Sequence, residues 1–142
     1  MKKITIYTDG CSLGNPGKGG YCGILRYEVN ETLHERIVSG GVRDTTNNRM
    51  ELMAVIEAVK SLKTPCDIEI YSDSTYVVRG ISEWLVNWQK RNFREVKNPD
   101  LWKEYLLVSQ KHKIKCIWVR GHNGNELNEK CDIIAKTEAQ KI

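Results

Sequence analysis

Apolar and polar residues alternate and regroup along this chain so as to lay out five strands and five helices. Residues 3–9 form a short β-branched run that ends in an acid, the first predicted strand. Residues 11–20 carry four glycines and read as a turn-rich loop whose backbone could approach a phosphate. That signal is weak by itself, because most such loops only connect strands. Residues 21–29 and 34–42 are the next two strands, and the short Asn30-Glu31 break between them predicts an antiparallel hairpin.

From residue 49 the period changes. Leu52, Val55, Ile56 and Val59 recur at helical spacing and predict a helix over 49–62 that ends before Pro65. Residues 67–73 are a fourth strand, so strand, helix and strand form a parallel, right-handed crossover. Ser74 caps a short helix over 74–81. A further helix over 83–92 bears Trp84 and Trp88, and Asn98-Pro99-Asp100 reads as a cap followed by proline, starting a helix over 98–110. Residues 114–119 are the fifth strand. Gly121-His122-Asn123-Gly124-Asn125 is a loop, and the last helix runs from 126 to the C-terminus with Leu127, Cys131, Ile134 and Ala135 inward. The pattern is mixed α/β.

Two of these strands end almost alike: Ile6-Tyr7-Thr8-Asp9-Gly10 and Ile70-Tyr71-Ser72-Asp73-Ser74. Laid side by side and parallel, they bring Asp9 and Asp73 together at the carboxyl edge of a sheet, where open α/β folds bind ligands. Two close carboxylates repel, so the pair takes up a proton or holds a cation. Glu51 and Asp132 lie beside the buried stripes of two helices. Taken singly, Glu51 reads best as half of a capping box with Asn48, and Asp132 as a solvated helix-face acid. Asp73 alone could be a charge ahead of a helix N-terminus. Taken together, the four make a cage of hard oxygen donors suited to Mg²⁺ or Mn²⁺ rather than zinc.

Length and composition fit one soluble domain spanning 1–142, with 40% hydrophobic and 28% charged residues. The only apolar run near the start is residues 4–7, too short for a signal peptide or a membrane span, which places the protein in the cytoplasm. Five scattered cysteines without a C-x-x-C pair read as free thiols, mostly buried. The net charge is only +4, but Lys90, Arg91, Arg94 and Lys97 face Glu95 alone, and such a patch points to a polyanionic partner.

Five motifs, in order along the chain, resemble type 1 ribonuclease H of bacteria. They are Asp9-Gly10 with Gly14-Asn15-Pro16-Gly17; Thr46-Asn47-Asn48-Arg49-Met50-Glu51-Leu52; Tyr71-Ser72-Asp73-Ser74; Gly121-His122-x-Gly124; and Asn128-Glu129-x-Cys131-Asp132. The resemblance implies a ribonuclease H-like α/β fold, a five-stranded mixed sheet with an antiparallel hairpin plus parallel strands, flanked by helices. It implies an endonuclease that hydrolyses the RNA strand of RNA·DNA hybrids with two metal ions and leaves 5′-phosphate and 3′-hydroxyl ends. Asp9, Glu51, Asp73 and Asp132 then hold Mg²⁺ (two ions with substrate bound, with Mn²⁺ as the alternative), Asp9 bridging, and His122 moves protons or aids product release.

By the same resemblance, Cys11, Asn47 and Asn48 read the RNA minor groove, and Asn15 with Thr46 grips a DNA-strand phosphate. Trp84, Trp88, Lys90, Arg91 and Arg94 form a basic protrusion that holds the DNA strand, with at least one tryptophan partly exposed. Two departures stand out: the stretch 91–100 is shorter and poorer in lysine than in the best-known bacterial forms, and Thr75 replaces the glutamine of many relatives. A non-catalytic hybrid-binding module and a DNA-strand nuclease of the integrase kind are the rival readings. The four acids with His122 argue against the first, and Thr46-Asn47-Asn48 with the tryptophan segment against the second. A monomer is the default state.

Overall fold

The structure is a computed structural model, and it describes residues 1–121 and 125–142. Strands β1 (Lys2–Ser12), β2 (Gly17–Val29) and β3 (Thr32–Thr45) form an antiparallel meander. Helix α1 (Asn47–Lys60) then carries the chain across to β4 (Cys66–Ser72), which pairs with β1 in parallel. Helices α2 (Thr75–Arg79), α3 (Leu85–Lys90) and α4 (Pro99–Ser109) lead to β5 (Lys113–Trp118), parallel to β4, and α5 (Glu126–Gln140) closes the chain. The sheet order is β3-β2-β1-β4-β5. The strands reach further than the alternation predicts, because β1 and β2 stay paired through Cys11–Gly20 and Ser12–Gly19. Much of the glycine-rich loop is therefore ladder.

Alternation along β1 decides which face each residue serves. Ile4 and Ile6 enter the main core with Ile68 and Ile70 of β4 and Leu52, Val55, Ile56 and Val59 of α1. Trp102, Leu101 and Tyr105 of α4 join the same core. On the other face, Cys22, Ile24, Cys131 and Ala135 form a smaller core beneath α5, with Leu127 and Ile134 packed against it. A thiol set in apolar surroundings behaves as a small hydrophobe. All five cysteines are free, and Cys22, Cys66 and Cys131 are buried as the sequence predicts.

One predicted cap lies elsewhere, and another forms without its side chain. The N-cap of α1 is Thr46, whose hydroxyl accepts from the Arg49 amide at 3.3 Å. That places Arg49, not Glu51, at the third helical position, so the Asn48–Glu51 capping box does not form. Asn98 is the N-cap of α4 ahead of Pro99 as predicted, and its carbonyl accepts from the Trp102 amide at 3.2 Å, but its φ is 56° and its side chain bonds Arg49 and Tyr76 instead of the helix. Ser74 does cap α2, accepting from the Val77 amide. Between α2 and α3 the helix widens into a π turn, Gly80–Trp84.

Candidate active site

Register brings the two strand-end acids together. Tyr7 pairs with Tyr71 across β1 and β4, their rings stacked at 5.2 Å. Two residues further along each chain come Asp9 and Asp73, pointing to the same face by the period of the strand. Asp9 is buried, and Asp73 is half-buried just past the end of β4. The Trp118 indole N–H donates to the Asp73 carbonyl at 3.1 Å, which anchors that strand end.

Glu51 reaches the pair from α1 because residue 10 has no side chain. A Cβ on Gly10 would lie 2.2 Å from the Met50 carbonyl carbon and 2.4 Å from the Glu51 amide nitrogen, so only glycine lets this helix close on the strand. The Gly10 amide donates to Asp9 Oδ1 at 2.9 Å and to Glu51 Oε1 at 3.0 Å, holding two carboxylates on one N–H. Oxygens of Asp9, Glu51 and Asp73 lie within 4.8 Å of one another. Asp132, on the second turn of α5, lines the same depression of about 470 Å³, but its Oδ2 accepts from Lys136 Nζ at 3.0 Å.

The electrostatics of the cluster follow from burial. Burial pushes the Asp9 carboxyl up to about 6, with the charges of Asp73 and Asp132 adding to it and a hydrogen bond from Glu51 opposing it. Glu51 is raised well above the usual carboxylate range, first by burial and then by its hydrogen bond to Asp9 and that acid's charge. The other Glu51 oxygen, Oε2, is inaccessible and has no hydrogen-bond partner. A buried, unsatisfied carboxylate oxygen among three converging acids is what a hard divalent cation would satisfy. The residues fit the metal.

The residues expected to touch nucleic acid divide between this depression and two flanks. Cys11, Asn47 and Asn48 line the depression, together with Ser74, Thr75 and Tyr76. Asn15 and Thr46 sit beside it: the Asn15 carboxamide oxygen accepts from the Asn47 amide at 3.1 Å, and Asn47 Oδ1 accepts from the Ser12 amide at 2.7 Å. The turn between β1 and β2, which contains the cis Asn15–Pro16 bond, is thus tied to the start of α1. Asn48 is exposed and free of a capping duty. Trp84 and Trp88 are both half-buried, with rings 5.7 Å apart, and Lys90, Arg91 and Arg94 are exposed beyond them. His122 lies outside the described residues.

Sequence reasoning missed Gly10 as a site residue in its own right, and it missed Tyr76, Trp118 and Lys136. Of these, Lys136 carried a legible signal, one helical turn after Asp132. Tyr76 and Trp118 carried none, because their partners are 21 or more residues away in the chain.

The whole arrangement has counterparts among known proteins. The RNase H family model matches residues 1–140. The chain is 59% identical over 141 residues to Ribonuclease H of Helicobacter acinonychis (strain Sheeba), covering 99% of this chain and 96% of that one. It is 58% identical to Ribonuclease HI of Helicobacter pylori (strain ATCC 700392 / 26695), with the same coverage. Among solved structures it resembles LC9-RNase H1, a type 1 RNase H with the type 2 active-site motif. The TM-score there is 0.91 at 30% identity, covering 99% of this chain and 74% of that one. It also resembles LC11-RNase H1 in complex with RNA/DNA hybrid, with a TM-score of 0.67 at 25% identity over 97% of each chain. A match that runs from the first strand through the last helix, at such identity to its bacterial relatives, leaves one assignment: the chain belongs to the ribonuclease H family.

Proposed function

We propose that this chain acts as a single domain, residues 1–142, and as a cytoplasmic monomer that cuts the RNA strand of RNA·DNA hybrids endonucleolytically, leaving 5′-phosphate and 3′-hydroxyl ends. The observation that carries the reading is the convergence of Asp9, Glu51 and Asp73 oxygens within 4.8 Å at the carboxyl edge of the parallel strands. Asp9, Glu51, Asp73 and Asp132 would hold Mg²⁺, two ions with substrate bound, or Mn²⁺ in its place. When bound, such ions supply Lewis-acid stabilisation of a phosphodiester and lower the pKa of an attacking water.

The chain's own residues bind and orient. Asn47, Asn48 and the backbone at Cys11 face the depression, where they can meet the 2′-hydroxyls that separate RNA from DNA. Asn15 and Thr46, on the adjoining rim, take a phosphate of the DNA strand. Trp84 and Trp88 offer ring faces, and Lys90, Arg91 and Arg94 add charge without sequence choice. His122 takes or delivers protons. The test is cleavage of an end-labelled hybrid with and without Mg²⁺, beside all-RNA and all-DNA duplexes. Metal-dependent cutting confined to the RNA of the hybrid is the expected result. Binding without cutting, or cutting of DNA, would sink the proposal.

A further inference from the structure

The acids of the depression are not equivalent. Asp9, Glu51 and Asp73 gather on one another, whereas Asp132 is engaged by an ammonium group, Lys136 Nζ at 3.0 Å from Oδ2. Lys136 follows Asp132 by one helical turn, so α5 itself sets the pair. Lys136 is also the sole lysine or arginine that lines the depression among the described residues. Its ammonium is held above the usual lysine range by its hydrogen bond to Asp132, with the charges of Asp132, Cys11 and Asp9 adding to the effect. The Asp132 side chain is only 16% exposed, while that of Lys136 is 53% exposed and has water to swing into.

We propose that Lys136 is a built-in counter-ion that occupies Asp132 and thereby sets the divalent-cation concentration at which this fourth carboxylate joins the other three. The inference rests on the proposed metal-binding role of these acids. The physical reason is competition: a cation that recruits Asp132 must displace the ammonium or bear its repulsion at short range. Substrate-free protein thus keeps Asp132 neutralised by a tethered charge, and Lys136 is a positioning residue acting through Asp132. On the rival view the pair is an ordinary helix-surface ion pair with no bearing on the metal.

The test is calorimetric titration of substrate-free protein with Mg²⁺, checked by the Mg²⁺ dependence of thermal melting. Lys136→Met is expected to lower the apparent Mg²⁺ dissociation constant about twofold, the ratio to which the strength of an exposed i,i+4 helix ion pair converts. Lys136→Arg, which keeps the charge, is expected to restore the wild-type value. In an Asp132→Asn background the Lys136→Met change is expected to have no effect. An unchanged Mg²⁺ midpoint for Lys136→Met would overturn the proposal. So would an equal shift in the Asp132→Asn background, which would reveal a general field rather than the pair. Failure of the hybrid-cleavage assay would remove the nuclease reading without touching these titrations. Flat titrations in a protein that cuts hybrid would remove only the role of Lys136.

Discussion

At the carboxylate end of the sheet, Asp9 hangs from a strand paired on both sides, and Glu51 from a helix whose inner face is fully buried. At the tryptophan segment, Trp84 and Trp88 hang from a π turn and a six-residue helix. The loop that follows puts Asn92, Phe93, Glu95 and Asn98 in the left-handed region, at φ of 54°, 60°, 63° and 56°. Each such residue costs about 1–2 kcal/mol, so that loop persists only because other contacts hold it. Those contacts are aromatic and polar: Trp88 packs on Trp102 at 5.1 Å, Phe93 is buried, and Tyr76 Oη accepts from Trp102 Nε1 and Asn98 Nδ2. Charges that must converge to ångströms are hung on the rigid part of the molecule. Charges that need only meet a polyanion are hung on its edge.

If that division holds, substitutions at the two places should fail in different ways. Asp9→Asn should cut hybrid cleavage on the order of 10³-fold or more while the protein stays folded. A variant with near-normal activity would contradict the role of Asp9. The same variant should melt higher than wild type without metal at neutral pH. The sign follows from linkage: the native Asp9 carboxyl titrates near 6, the unfolded one near 3.8, so between those values the native state binds the extra proton. Stability of the metal-free wild type therefore falls as pH rises through that window, reaching a penalty of about 3 kcal/mol above it. Melting curves at pH 4 and pH 7 should show the gap between the two proteins opening, and Mg²⁺ should close it.

Gly10→Ala and Gly80→Ala form a matched pair. A Cβ at Gly80 would lie 2.3 Å from the Trp102 ring, and one at Gly10 would lie 2.2 Å from the α1 backbone. Overpacking of this severity is expected to cost about 3 kcal/mol at either position, read by denaturant unfolding. Only Gly10→Ala should also raise the Mg²⁺ needed for activity, because it pushes Glu51 away from Asp9. Equal loss of metal response in both would dissolve the distinction between scaffold and edge.

The smallest effect is expected from the basic cluster. Replacing Lys90, Arg91 and Arg94 together by alanine should raise KM for hybrid, leave kcat nearly unchanged, and flatten the logarithmic salt dependence by up to about 3. A fall in kcat with unchanged KM would assign these side chains to the chemistry instead.

Much of this was legible because periodicity is a local property. The alternation that ends in Asp9 and in Asp73 already placed both acids on one sheet edge, and register did the rest. Helical spacing placed Trp84 and Trp88 on one face, as found. Charge sign exposed the basic cluster.

The capping box at Asn48 and Glu51 was the local reading that failed. Helix start signals at Thr46, Asn47 and Asn48 are nearly equivalent in sequence, and the choice among them fell to contacts with Ser12 and Asn15, more than 30 residues away in the chain. Glu51 was then free to reach the Gly10 amide 41 residues distant. The tertiary structure likewise decided that the Asn98 side chain would serve Tyr76 and Arg49 rather than cap its own helix, and that Asp132 would face Lys136 rather than the other three acids. Short-range periodicity determines which side of an element a residue occupies. Which of several possible polar partners it takes depends on the distances left once the core has closed, because burial, not propensity, sets the cost of leaving a polar group unpaired.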